Sequence, residues 1–562
     1  MKNIYKSIAL LVVIISALSG CETTDLDGKT DDPNALAPNQ ASTDLFLNAI
    51  QRDAGFLIAE LEVEAAEAAR MKNMDGRQYR NAFEPSRFDV QWTNAYQVIL
   101  NDIKTMKPIA QDAGQVYHVG VAQILEAYVL VTLVDLFGDI PYTEALQGSE
   151  NLNPAIDDGQ AVYLAAEALL DSAITNLSVP DEEVPSQPAT DLYYGGDWDN
   201  WVKAANSLKM KMFVTGRLVT DRSADFDAIV ASGDFIDEES EDFQFEWGTS
   251  FNNPDARHPE YVTNYTPAGA NSYMSNWMMG YMLLGKVGNS VSVFEEADPR
   301  MKYYFYRQTN QVRFDNPNLL DCAQTDPPPH YAAEGASNAA FPVYCGLPVG
   351  YWGRDHGDDA GIPPDGQLRT AYGLYPVGGR FDDNSFQVIA SISLGAGGAG
   401  ITPFILSSYT DFYQAEMAMA DGQTAEAQTF LTNGVAKSFA KVRAFGDRDP
   451  NADMSTAPDP ALDADYVTEL GQLFAAANDQ GKWDLLGAEF LVTAWGNGVE
   501  GFNFYRRTGA PSDIQANIEP APGEYFRSLF YPPRFVERNS NVTQKDGVSD
   551  PVWWDNGSAT TR

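Results

Sequence analysis

The sequence predicts a mainly α-helical fold in which consecutive helices pack as pairs around a long irregular segment. Three observations carry that expectation. Apolar residues recur at the three- and four-residue spacing of amphipathic helices over several tracts. Short polar breaks such as Asp421-Gly422-Gln423 separate those tracts, which leaves neighbouring helices close enough to pack together. Between Phe235 and Gly400, in contrast, Gly, Pro, Asn and Asp interrupt the chain too often for long helices to propagate.

The first element is not part of the folded body. Lys2 and Lys6 flank an apolar stretch from Ile8 to Leu18 that is too short to span a bilayer, so residues 1–20 read as a cleaved export signal. Leu18-Ser19-Gly20-Cys21 resembles a bacterial lipobox, which implies that Cys21 is lipidated and becomes the first mature residue. An ordinary secretory signal that contains a cysteine is the alternative. Residues 21–40, beginning Cys-Glu-Thr-Thr-Asp-Leu-Asp-Gly-Lys, are polar and suit a flexible tether.

In the body, Val121, Leu125, Tyr128, Val129, Thr132 and Leu136 follow helical spacing, and Ile124, Val131 and Leu133 occupy the other side. This helix should end at Gly138, with Pro141 shortly after. Val119 to Phe137 approaches membrane length, but Glu126 and Asp135 inside it point to a buried helix instead. Further helices are expected from about Gly159 to Leu177, Trp198 to Val219, Thr402 to Ala420, Thr424 to Phe445, Tyr466 to Asn478 and Trp483 to Trp495. Their pairing suggests stacked helix-turn-helix units of the tetratricopeptide kind, although no strict 34-residue repeat is legible.

Composition narrows the partners. The 562 residues carry a net charge of −41, which repels phosphate backbones and excludes nucleic acid as a general ligand. Solubility accounts for the acidity without any specific cation. Besides Cys21 the cysteines are Cys322 and Cys345, an even pair bracketing the loop Ala323-Gln324-Thr325-Asp326-Pro327-Pro328-Pro329. In an exported protein such a pair is expected to form a disulfide worth about 3 kcal/mol, two free thiols being the alternative. A metal site would need two more soft ligands, which the nearby sequence lacks.

Several stretches, taken in order, resemble the SusD/RagB family of outer-membrane nutrient-uptake lipoproteins. Leu133-Val134-Asp135-Leu136-Phe137-Gly138-Asp139-Ile140-Pro141-Tyr142-Thr143-Glu144-Ala145 is similar to the family hallmark, and Trp92-Thr93-Asn94-Ala95-Tyr96 to its early helix. Lys203-Ala204-Ala205-Asn206-Ser207-Leu208-Lys209-Met210-Lys211 resembles the first helix pair after the hallmark, and Ala297-Asp298-Pro299-Arg300 the central turn. Gly498-Val499-Glu500-Gly501-Phe502-Asn503-Phe504-Tyr505-Arg506-Arg507 and Pro551-Val552-Trp553-Trp554-Asp555 resemble the carboxy-terminal signatures. Acidic residues behind Cys21 also resemble the surface-export signal of Bacteroidetes lipoproteins.

The resemblance implies a right-handed superhelix of four tetratricopeptide-like helix pairs, with the loop-rich, aromatic-rich insertion packed against it. It implies a single domain over residues 41–562, comprising a helical core of about 41–234 and 401–510, a ligand-facing insertion of about 235–400 and a carboxy-terminal segment 511–562. It further implies capture of an oligosaccharide or other nutrient at the cell surface and delivery to a SusC-type TonB-dependent transporter, for which this protein acts as a lid.

Sugars present apolar C–H faces ringed by hydroxyls, so a glycan site needs aromatic platforms beside directional polar groups. The insertion offers both in Tyr351-Trp352-Gly353-Arg354-Asp355-His356-Gly357-Asp358-Asp359. Trp352 suits stacking on a pyranose, with Arg354 and Asp355 gripping vicinal hydroxyls, and the flanking glycines predict an exposed turn. In the competing reading, Arg354 pairs with Asp355 and Trp352 covers the core. Tyr273, Trp277 and Tyr281, four residues apart, fall on one helix face and also suit core packing. Trp247, Phe251, Tyr261 and Tyr265 are further candidates.

Asp355, Asp358, Asp359 and Asp365 could offer oxygen ligands to a structural calcium ion, but the EF-hand pattern is missing and a solvated acidic loop explains them as well. His118, His258, His330 and His356 show no zinc spacing, and no other cofactor is implied. For catalysis there is no GxSxG elbow, P-loop or dinucleotide fingerprint. A glycoside hydrolase using an Asp/Glu pair is the enzymatic alternative, and a structural scaffold of a transporter complex the other.

Overall fold

The computed structural model describes residues 42–74, 76, 78–284, 297–310, 347–358, 368–519 and 521–557. Helices carry most of the ordered backbone, as the spacing predicts. In the first half the longer ones are α1 (Thr43–Ala68), α2 (Asn101–Asp112), α3 (Val116–Phe137), α4 (Gly159–Leu177), α5 (Trp198–Gly216) and α6 (Ser223–Ser232). The middle contributes α7 (Asn276–Leu284). The second half adds α8 (Ser407–Ala420), α9 (Thr424–Ala444), α10 (Ala461–Ala476), α11 (Asp479–Thr493) and α12 (Gly498–Thr508). Sequential neighbours pack on one another, α3 with α4, α4 with α5, α8 with α9 and α9 with α10.

α3 is buried on nearly every face, so its membrane-like composition serves a protein core. Its one internal carboxylate that is fully enclosed, Asp135, gathers the surrounding elements. Tyr163 of α4 and Trp554 donate to Asp135 Oδ1, the latter at 3.0 Å, while Asn503 of α12 donates to Oδ2 at 2.7 Å. A buried carboxylate left unpaired would be very costly, so these donors fix α4, α12 and the carboxy-terminal segment against α3. Gly138 ends the helix with φ of 76°, a left-handed conformation that favours glycine.

α12 docks end-on to α1 through another glycine. A Cβ on Gly498 would lie 2.2 Å from Ala66 N and 2.3 Å from Glu62 O, so only glycine permits this approach. Its amide also donates to the Glu62 side chain at 3.2 Å. Periodicity alone passes over α1, because its buried positions include Gln51, Glu62, Glu64 and Glu67, which read as solvent-facing residues.

Three helix starts differ from expectation: α10 begins at Ala461 instead of Tyr466, α11 at Asp479 instead of Trp483, and α8 at Ser407 instead of Thr402. The tract from Thr402 to Ala420 begins as strand β4 (Ile401–Ile405) and becomes helical only at Ser407. Pro403 and the β-branched residues around it disfavour a helix interior. β4 pairs antiparallel with β1 (Phe243–Glu246), placing Phe243 opposite Ile405 and Glu246 opposite Ile401. A second short pair joins β2 (Phe305–Tyr306) to β3 (Ala371–Tyr372).

Ahead of α2 the chain runs through a short α-turn, Asp89–Thr93, and then a π-helical stretch, Asn94–Leu100. A π-turn widens the helix by one residue and redirects its side chains, a device that recurs at functional sites. Here Asn94 and Val98 line one surface cleft, while Trp92, Tyr96 and Gln97 line another.

Candidate functional site

The first cleft has a volume of about 540 Å3 and is bounded by four elements. α1 contributes Arg52, Asp53 and Phe56, the π-turn contributes Asn94 and Val98, and β1 with the residue after it contributes Phe245 and Trp247. The fourth wall is the loop from Gly248 to Ala256. Backbone bonds from Gly248 N to Ala256 O and from Ala256 N to Ser250 O, each 2.8 Å, close that loop on itself.

The floor is a cluster of rings. Phe56 meets Trp247 edge-on with centroids 4.5 Å apart, and Phe245 meets it at 5.0 Å. Gly55 makes room for this arrangement, since a Cβ there would sit 2.5 Å from the Phe245 ring. The Trp247 indole is only 5% exposed and its Nε1 donates to Thr402 Oγ1 at 2.9 Å, so it is fixed in place. Phe251, on the wall loop, is 61% exposed, with the Arg257 guanidinium 5.9 Å from its ring centre.

Charges around the cleft are paired. Arg52 contacts Asp53 at 2.7 Å, Arg257 holds Asp255 at 2.9 and 2.6 Å, and Arg448 lies 3.4 Å from Glu246. The Arg257 bonds hold the Asp255 carboxyl below its ordinary range. Behind the indole, His258 lies 5.5 Å from Trp247, and burial pushes its pKa down to about 3. Its Nδ1 accepts from Glu260 N at 3.2 Å, consistent with a neutral ring. The cleft therefore offers apolar faces, an amide at Asn94 and acidic side chains paired with arginines.

Of the residues singled out from sequence, Trp247 lies in this cleft. The others do not join it. Tyr261 is buried, stacked on Tyr265 at 4.4 Å, with its hydroxyl donating to Leu394 O at 2.7 Å. Trp277 and Tyr281 are buried on α7, and Tyr281 donates to Glu489 at 3.1 Å. Tyr273 precedes α7 instead of sharing its face, because the helix begins only at Asn276.

The exposed turn expected at Tyr351 to Asp358 is not exposed. Tyr351, Trp352, Arg354 and Asp355 are all buried, Trp352 to 2%. Its backbone exchanges bonds with Thr370, at 2.7 Å to the hydroxyl and 2.9 Å to the amide, and Arg354 bridges to Ser275. The glycines here serve close packing: a Cβ on Gly353 would fall 2.4 Å from Met274 O. Arg354 instead lies over the Tyr273 ring at 4.0 Å, with Arg369 at 3.9 Å from the same ring, and Asn276 donates to Asp355 at 2.9 Å.

Cys21, Cys322, Cys345, His330, Asp359 and Asp365 lie outside the described residues. Among the described residues no three or more His, Cys, Asp and Glu side chains converge as a cation site would require. The residues that sequence reasoning missed are Phe56, Phe245, Asn94 and Val98. Phe56 sits on the overlooked α1, and Asn94 lies inside the recognised Trp92–Tyr96 stretch, where only the π-turn reveals its direction.

Comparison with known proteins bears on this arrangement. The sequence profile of the SusD-like family, described as starch-binding and associating with the outer membrane, matches residues 35–316. Among solved structures, a chitin-binding protein aligns with a TM-score of 0.63 at 17% identity, covering 92% of this chain and 100% of its own. A SusD/RagB family protein from Bacteroides thetaiotaomicron aligns at 0.61 and 18% identity, covering 92% and 100%. A chitin-binding SusD homolog from Flavobacterium johnsoniae aligns at 0.61 and 16%, covering 91% and 98%. No curated protein matches by sequence. At such identities the structural likeness establishes the fold, and the profile match over half the chain establishes the kinship: this protein belongs to the SusD-like family.

Proposed function

We propose that this protein is a glycan-binding lipoprotein that captures oligosaccharide at the cell surface in the Trp247 cleft and passes it unaltered to a SusC-type TonB-dependent transporter, over which it sits as a lid. The observation that carries the reading is the ring floor of Phe56, Phe245 and Trp247 beside the Asn94 amide. Such a surface complements a sugar's C–H face and one or two of its hydroxyls. Anchoring through acylated Cys21 and the residue 21–40 tether completes the proposal. The family description and the chitin-binding relatives favour a neutral glucan or chitin-type ligand, which also suits a chain of charge −41.

Binding without chemistry is supported by the cleft's carboxylates. Glycoside hydrolysis needs a carboxyl with a raised pKa as proton donor, whereas the Arg257 bonds hold Asp255 low. Affinity electrophoresis of purified protein through gels containing soluble starch or glycol chitin, with analysis of released sugars, tests the proposal. Retardation without products is expected. Released oligosaccharides identify a hydrolase, and unretarded migration in both gels rejects these glycans as ligands.

A further inference from the structure

On the other side of the π-turn, a second cleft of about 310 Å3 separates the loop after α3 from a short carboxy-terminal helix, Pro533–Arg538. Trp92, Tyr96 and Phe535 form its floor, with Trp92 4.9 Å from Tyr96 and 4.8 Å from Phe535. Leu152, 72% exposed, stands at its edge. The walls are tied together by bonds from Asn539 Nδ2 to Pro154 O at 2.8 Å, Ser540 N to Asn153 Oδ1 at 2.8 Å and Arg534 N to Asp89 Oδ1 at 3.1 Å. A cleft framed in this way is preformed, which lowers the ordering cost of filling it.

Its chemistry differs from that of the Trp247 cleft. Thr93 donates to Asp89 O, Tyr96 to Pro141 O and Asn539 to Pro154 O, so these groups have little left for a polyhydroxy ligand. Arg534 faces Asp89 at 3.5 Å. Arg538 is exposed at the cleft and pairs with no acidic side chain among the described residues, which gives the lip a net positive charge in a strongly acidic protein. Gln97 adds an exposed amide.

We propose that this cleft binds a small carboxylic acid with an aromatic or aliphatic body, the body resting on Trp92 and Phe535 and the carboxylate meeting Arg538. The ligand is a free small molecule, because the volume matches the lower end of small-molecule pockets and not an extended chain. The inference is independent of the glycan proposal and uses separate residues.

Isothermal titration of the full protein at pH 7 with 3-phenylpropionate, and with its uncharged amide as control, provides the test. The acid should bind about threefold more tightly than the amide, the value of one solvent-exposed charge pair. Arg538→Gln should weaken the acid about threefold, leave the amide unchanged and keep the wild-type melting temperature. Equal affinity for acid and amide, no heat at millimolar acid, or undiminished acid binding by the variant would each overturn the assignment.

Discussion

Phe56 of α1 meets the Trp247 indole edge to face, with 4.5 Å between ring centroids and an interplanar angle of 83°. The contact joins the helix that periodicity overlooked to the strand end that sequence reading selected, and it makes the floor of the glycan cleft. Phe56 is half-buried whereas Trp247 is nearly enclosed, so the two rings should answer differently to truncation. Phe56→Ala is expected to weaken glycan retention about threefold to tenfold with a modest loss of stability. Trp247→Ala should cost about 3–5 kcal/mol of folding free energy, read from urea denaturation.

Trp352 should behave as a core residue. Its side chain is buried and its backbone is bonded to Thr370 on both sides, so Trp352→Ala is expected to lower folding free energy by about 3–5 kcal/mol. Urea denaturation followed by circular dichroism measures this. An unchanged denaturation midpoint would mean that the indole faces solvent after all.

Gly498→Ala should be far more damaging than its single methyl suggests. The added carbon would meet α1 backbone atoms 2.2 and 2.3 Å away, so α12 must move as a body. A loss of at least about 2 kcal/mol is expected. Gly422→Ala serves as the control, since its Cβ would meet nothing within 4 Å, leaving only the cost of its φ of 75°.

Glu62 gives the stability a pH dependence of known sign. Burial raises its pKa from 4.5 to about 7, opposed by Lys72. Because the folded value exceeds the unfolded one, the folded form retains a proton that the unfolded chain releases above about pH 4.5. The contribution is therefore full below that pH and is lost as the pH rises through about 7. Glu62→Gln cannot ionise, so relative to wild type it should gain about 3 kcal/mol between pH 4 and pH 8. Denaturation midpoints at the two pH values supply the comparison.

The helical framework was readable because burial of α3, α4, α5, α8 and α9 follows apolar spacing. α1 escaped because Gln51, Glu62, Glu64 and Glu67 occupy its buried face, paired or bonded in ways that no periodicity encodes. The site was harder to read. Glycines around Trp352 suggested exposure, yet they permit backbones to touch, and the same residue type serves both ends. Trp247 was selected for its ring alone; its partners Phe56, Asn94 and Val98 come from a distant helix and from a π-turn whose direction depends on packing.

The central claim is that a ring-lined cleft at Trp247 holds glycan, and the half-buried Asn94 amide beside its ring floor offers the most direct test. Asn94→Ala removes that amide and no apolar core surface, so folding should be unaffected. Relative mobility of wild type and variant is compared in gels containing soluble starch or glycol chitin. Wild type should be retarded in one of them, with the variant's retardation reduced by about threefold or more and its melting temperature unchanged. Equal retardation of the two proteins would place the glycan elsewhere on the molecule and contradict the account.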